Sequence, residues 1–167
     1  RDSLYVFGGT DNSSNMNEIV RYDLSTQNSG EWTTIAKVNE ANQRGGVAFV
    51  VEDKVYAGLG EKSNGIRNGF YVSSDSLTKW ELIPSIPAQL GVISSGVYDE
   101  QKKSFFMIDN DGKIWEYNLT TEQWTSRSLW IRMKNYHMFM LDGSIYILGQ
   151  DIYQKNKFTV YNPIWDN

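Results

Sequence analysis

Two aromatic series run through the chain at one drifting period, and nothing else in the sequence limits its fold as much. Tyrosines stand at 22, 71, 117 and 161, at intervals of 49, 46 and 44 residues. Tryptophans stand at 32, 80, 124 and 165, at intervals of 48, 44 and 41. Self-similarity at a fixed interval marks a repeat architecture, whose units bury their apolar faces against one another. The same punctuation returns around each pair. An apolar run with a central aromatic and a glycine-rich end appears at Leu4 to Gly9, at Val55 to Gly60 and at Ile145 to Gly149, with a weaker copy lacking glycines at Phe105 to Ile108.

Ahead of these runs lie further apolar stretches, at Val47 to Val51, Ile93 to Tyr98 and His137 to Leu141. Short polar turns join the members of each pair: Glu52-Asp53, residues 99–103 and Asp142-Gly143. Asp-Gly between two apolar runs signals a hairpin, because both residues tolerate positive φ. Asp111-Gly112 is expected to play the same part later in its repeat. Each repeat therefore reads as four antiparallel strands, a to d, in about 45 residues, with the tyrosine in c and the tryptophan in d. That period with that strand count indicates a propeller blade.

The glycine doublet after strand b, the Tyr of strand c, the Trp of strand d and Arg44-Gly45-Gly46 leading into strand a together resemble the kelch family. The phrasing Val55-Tyr56-Ala57-Gly58-Leu59-Gly60 is most similar to kelch proteins of bacterial cell envelopes. The stretch Phe70 to Trp80 also resembles a degenerate Asp-box, with Leu77 where that motif places Gly. The resemblance implies an all-β, kelch-type β-propeller of about 3.75 four-stranded blades. These fall at residues 1–40 (lacking strand a), 41–87, 88–130 and 131–167. Three strands plus three sets of four make fifteen, with Ile164-Trp165 as a short last strand d. Kelch propellers usually have six or seven blades. The remaining blades of a six- to eight-bladed ring are accordingly expected from a longer parent chain, as is an extracytoplasmic location, periplasmic or at the cell surface. The chain opens on Arg1-Asp2-Ser3 directly ahead of a strand, with no initiating Met and no signal peptide.

Composition agrees with strands and narrows the chemistry. Aromatics reach 14% while the chain has only 3 Pro, a balance that favours short strands over a helical bundle. A net charge of −4 gives no general attraction to nucleic acid or anionic membrane, and no run of about 18 apolar residues spans a bilayer. With no Cys and a single His, His137, the chain cannot build disulfides, thiolate zinc sites or a copper centre with two imidazoles. No metal and no cofactor are expected.

Function is expected on loops, which a rigid sheet frame presents. Antiparallel strands put the b–c and d–a connections at one end of each blade, the propeller mouth. The b–c loops are residues 10–17, 61–68, 109–112 and 150–156; the d–a loops run near 37–45, 84–92 and 129–135. Candidate ligand-binding residues there are Arg44, Glu61, Arg67, Asn68, Tyr136, His137, Asp151 and Tyr153, with Lys62 and Lys155 also projecting. Arg44 can equally crosslink neighbouring carbonyls through its five donors, and its counterpart in the fourth repeat is Lys134. Asp109-Asn110-Asp111-Gly112 lacks the remaining ligands of a calcium loop, so it reads as a tight turn. No nucleophile elbow and no phosphate loop occur. The chain thus reads as a non-catalytic binding module for a glycan or a protein partner. The alternative is a carbohydrate-active kelch enzyme resembling sialic-acid mutarotases, in which Arg44, Glu61, Arg67 and His137 would act.

Overall fold

The computed structural model describes residues 3–11, 14, 16–25, 30–37, 45–62, 65–66, 69–74, 77–87, 95–109 and 111–163. All regular structure among them is β. The chain divides into two compact units, Arg1–Ile83 and Pro84–Asn167.

The first unit holds two main sheets. In one, β1 (Ser3–Phe7), β2 (Glu18–Asp23) and β3 (Trp32–Lys37) pair antiparallel in chain order. In the other, β4 (Val47–Val51) pairs with β5 (Lys54–Gly58). A two-stranded hairpin, β6 (Glu61–Lys62) with β7 (Gly65–Ile66), is set aside before β8 (Phe70–Ser74) and β9 (Glu81–Leu82) complete the sheet. The sequence pattern placed a loop at 61–68. The hairpin differs from that expectation because two-residue strands are too short to show an alternating pattern. Ile19 and Leu77 are buried between the sheets, with Tyr5, Phe7, Ile35, Val55 and Trp80 packed around them.

The second unit repeats the plan. Strands β10 (Gly96–Asp99), β11 (Ser104–Ile108), β12 (Lys113–Asn118) and β13 (Gln123–Trp130) form a four-stranded sheet. Strands β14 (Lys134–Leu141), β15 (Ser144–Gln150) and β16 (Asn156–Tyr161) form a three-stranded one. Strand alternation decides the core. Ile145 and Ile147 point inward and are fully buried, whereas Leu148 points outward and is 44% exposed. Val97, Phe106, Ile108 and Ile114 of one sheet meet Tyr136, Met138, Ile145, Ile147 and Tyr161 of the other. Each fully buried isoleucine side chain contributes about 2 kcal/mol of transfer free energy. Glu116 of β12 and Arg127 of β13 form an ion pair whose side chains are 6% and 16% exposed.

The turns follow their residues. Asp142 and Gly143 have φ of 48° and 71°, the paired positive values of the two-residue turn that suits strand twist. Gly112, at φ 87°, lies where a Cβ would stand 2.3 Å from the Ile131 carbonyl oxygen, so only glycine fits.

Four antiparallel sheets of three or four strands are thus present, with fourteen of the fifteen expected strands among the described residues. The fifteenth, at Ile164-Trp165, lies outside them. The aromatic series packs in two ways. Within single sheets, Tyr22 faces Trp32 (5.4 Å between centroids) and Tyr117 faces Trp124 (4.9 Å). These are register partners on adjacent strands, where side chains lie closest. Across sheets, Trp80 packs edge-on against Phe7 at 5.8 Å and Tyr161 packs against Phe106 at 6.5 Å. Phe139, Tyr146 and Phe158 form a third ladder on the outer face of the β14–β16 sheet, with centroid spacings of 5.2 and 5.7 Å.

Candidate functional site

The b–c connection of the last sheet is built around one carboxylate. Asp151 Oδ1 accepts hydrogen bonds from the backbone amides of Tyr153 (2.8 Å) and Lys155 (3.0 Å). The Asp151 amide donates to the Lys155 carbonyl and the Gln154 amide donates to the Asp151 carbonyl. This fixes a five-residue turn, and Gln154 takes the positive φ it needs, 60°. An aspartate suits the first position because its short side chain satisfies amides two and four residues on.

The preceding sheet contains the same turn. Asp109 Oδ1 accepts from the amides of Asp111 and Lys113, both at 2.9 Å, and the amide of Gly112 donates to the Asp109 carbonyl. The second oxygen of each aspartate meets the residue six positions on. For Asp109 that is the Trp115 indole N–H, at 2.8 Å; for Asp151 it is Lys157, 3.9 Å away. The two turns hold their loops by the same geometry.

Beside the second turn lies an open groove of about 470 Å³, lined by Asn135, His137, Leu148, Gly149, Gln150, Asn156 and Lys157. β14 supplies Asn135 and His137, β15 supplies Leu148 to Gln150, and β16 supplies Asn156 and Lys157. Asn135 donates to Gln150 Oε1 across the strands, at 3.3 Å. His137 and Leu148 are register partners, and Leu148 in turn faces Phe158. The groove therefore joins amide groups, an imidazole and an ammonium to an apolar floor. Ile152 and Tyr153 stand at the tip of the turn, 66% and 76% exposed.

The residues anticipated from sequence separate into three groups. His137, Asp151 and Tyr153 come together at this end of the β14–β16 sheet. Tyr136 neighbours His137 in the chain but points to the opposite face, where it is buried and donates its hydroxyl hydrogen to the Ile108 carbonyl. Glu61 belongs to the other unit, in the β6–β7 hairpin, and is half-buried. Arg44, Arg67 and Asn68 lie outside the described residues. Sequence reasoning passed over Asn135, Gln150, Asn156 and Lys157 as individual site residues. The available signal was strand alternation from His137, together with the spacing from Asp151 to Lys157 that repeats the one from Asp109 to Trp115.

Among the described residues, no group of three or more His, Asp or Glu gathers as a metal site, and no helix is long and apolar enough to cross a membrane. Residues 1–39 match the family model described as the Kelch motif. The all-β architecture of three- and four-stranded antiparallel sheets is consistent with kelch β-propeller blades. Kelch repeats generally mediate protein interaction. No curated protein matches the chain.

Proposed function

We propose that the chain is an interaction module that holds a protein partner on its b–c and d–a connections, chiefly at the end of the β14–β16 sheet. The observation that supports this most is the Asp151 turn. Its frame is fixed by two amide-to-carboxylate bonds, yet its tip displays Ile152 and Tyr153 to solvent. A rigid turn that presents an apolar and an aromatic side chain beside a groove binds without a large loss of conformational entropy. Tyrosine is well suited to such a contact, since its ring is apolar and its hydroxyl polar.

The full chain, immobilised, can be offered a displayed random-peptide library and, separately, a glycan array. Selected peptides are expected to lose binding to Tyr153→Ala and to keep it with Gln101→Ala, which alters an exposed turn at the other end of the strands. Peptides that ignore Tyr153→Ala would overturn the proposed position. Binding confined to sugars would replace the protein partner by a glycan.

A further inference from the structure

We infer that the segment held at this end of the β14–β16 sheet is an extended, acidic stretch of polypeptide. The inference rests on the interaction reading above and specifies the partner's chemistry. Its first ground is local charge. The chain as a whole carries −4, yet residues 131–137 and 149–158 include Arg132, Lys155 and Lys157 against a single carboxylate, Asp151. That carboxylate is already engaged, with one oxygen in its own turn and the other facing Lys157. These segments therefore carry a net positive charge. Such a patch on an acidic molecule attracts anionic groups and sets the orientation of encounter.

The second ground is the polar lining. Asn135, Gln150 and Asn156 each offer both an amide donor and a carbonyl acceptor. A peptide backbone presents donors and acceptors alternately, so such side chains can serve both. A phosphate backbone presents acceptors alone and would leave the carbonyls of Asn135 and Asn156 unused.

The third ground is the floor. Leu148 lies within the groove and faces Phe158 across the strands, both substantially exposed. An apolar side chain set among acidic ones would cover them. Nucleic acid, the other polyanion that these cations could draw, binds mainly through phosphate neutralisation and gains little from an aliphatic floor.

Fluorescence anisotropy on the full chain tests this with defined probes. These are a labelled peptide of about twelve residues with Asp and Glu around two Leu, its Asn and Gln counterpart, and single-stranded RNA. The acidic peptide is expected to bind about tenfold more tightly than the amide counterpart and to weaken as salt shortens the screening length. Lys155→Gln with Lys157→Gln should weaken it about tenfold, while Lys54→Gln with Lys79→Gln, in the other unit, should leave it unchanged. Gln150→Ala should weaken the peptide and not the RNA. Equal affinity for the two peptides, tighter binding of RNA, or indifference to the Lys155 and Lys157 changes would each overturn the inference. If library peptides depend on Tyr153 while the acidic probe does not bind, the acidic specificity fails and the interaction reading stands.

Discussion

Asp109 ties Trp115 to a turn: one carboxylate oxygen accepts the indole N–H at 2.8 Å while the other accepts two backbone amides of the turn itself. Both residues are buried. Asp151 holds its own turn in the same way, but its second oxygen faces Lys157 near solvent. The two positions thus separate a buried version of the turn from an open one.

That difference sets the cost of losing each carboxylate. Asp109→Ala strands a buried indole N–H and two amides and is expected to cost about 3 kcal/mol, since an unsatisfied buried donor costs about 1–3 kcal/mol. Asp151→Ala leaves groups that water can reach and should cost about 1 kcal/mol. Urea unfolding of the two variants checks the order. Equal losses would show that burial of Trp115 does not matter.

The Glu116–Arg127 pair gives a second test. It lies almost wholly out of water, so removing one member leaves a buried charge without its counter-ion. Glu116→Leu or Arg127→Met alone should each cost about 3–5 kcal/mol, and the double replacement much less than their sum. A double-mutant cycle from denaturation data measures the coupling, and additive single losses would contradict it.

Gly112 and Gly143 both have positive φ but differ in space. A Cβ on Gly143 meets nothing within 4 Å, whereas one on Gly112 would stand 2.3 Å from a backbone oxygen. Gly143→Ala should therefore cost about 1 kcal/mol, from the left-handed conformation alone. Gly112→Ala should cost about 3 kcal/mol or more, because the chain entering β14 must move. Thermal melting of both proteins distinguishes the outcomes.

At the surface, the Lys37 ammonium donates to Glu18 at 2.9 Å. This hydrogen bond first, and the charge of Lys37 second, hold the Glu18 carboxyl below its ordinary value of 4.5. A carboxyl lowered on folding stabilises the fold above its unfolded pKa, and the contribution is lost as pH falls through the lower folded value. Lys37→Met should raise the Glu18 midpoint and weaken that acid-range dependence, with the small loss of stability seen near pH 7 and vanishing as pH falls through the folded value. Carboxyl NMR titration reads the midpoint directly. An unmoved midpoint would assign the shift elsewhere.

Strand positions were legible because each repeat writes them twice, once in alternation and once in its aromatic and glycine marks. Asp142-Gly143 was equally plain, since the turn needs two positive φ values and its residues supply them. The shared b–c turn was not. Gly112 announces it in one sheet, but Gln154 takes the same conformation in the next without a glycine to mark it. Tyr136 and His137 were grouped by proximity in the sequence, and the strand then sent them to opposite faces. The basic end near Lys157 was hidden by a charge summed over the whole chain.

The two aspartate turns also bear on the order in which the molecule assembles. Each closes within five residues using only its own side chain and amides, so it needs no distant contact to form. Local closure of this kind is fast, whereas joining two sheets must overcome the entropy of long loops. Hairpins β11–β12 and β15–β16 are therefore placed to appear early, and mutations at Asp109 should slow folding more than they speed unfolding. The end of the molecule that carries the groove is then set before the core beneath it has closed.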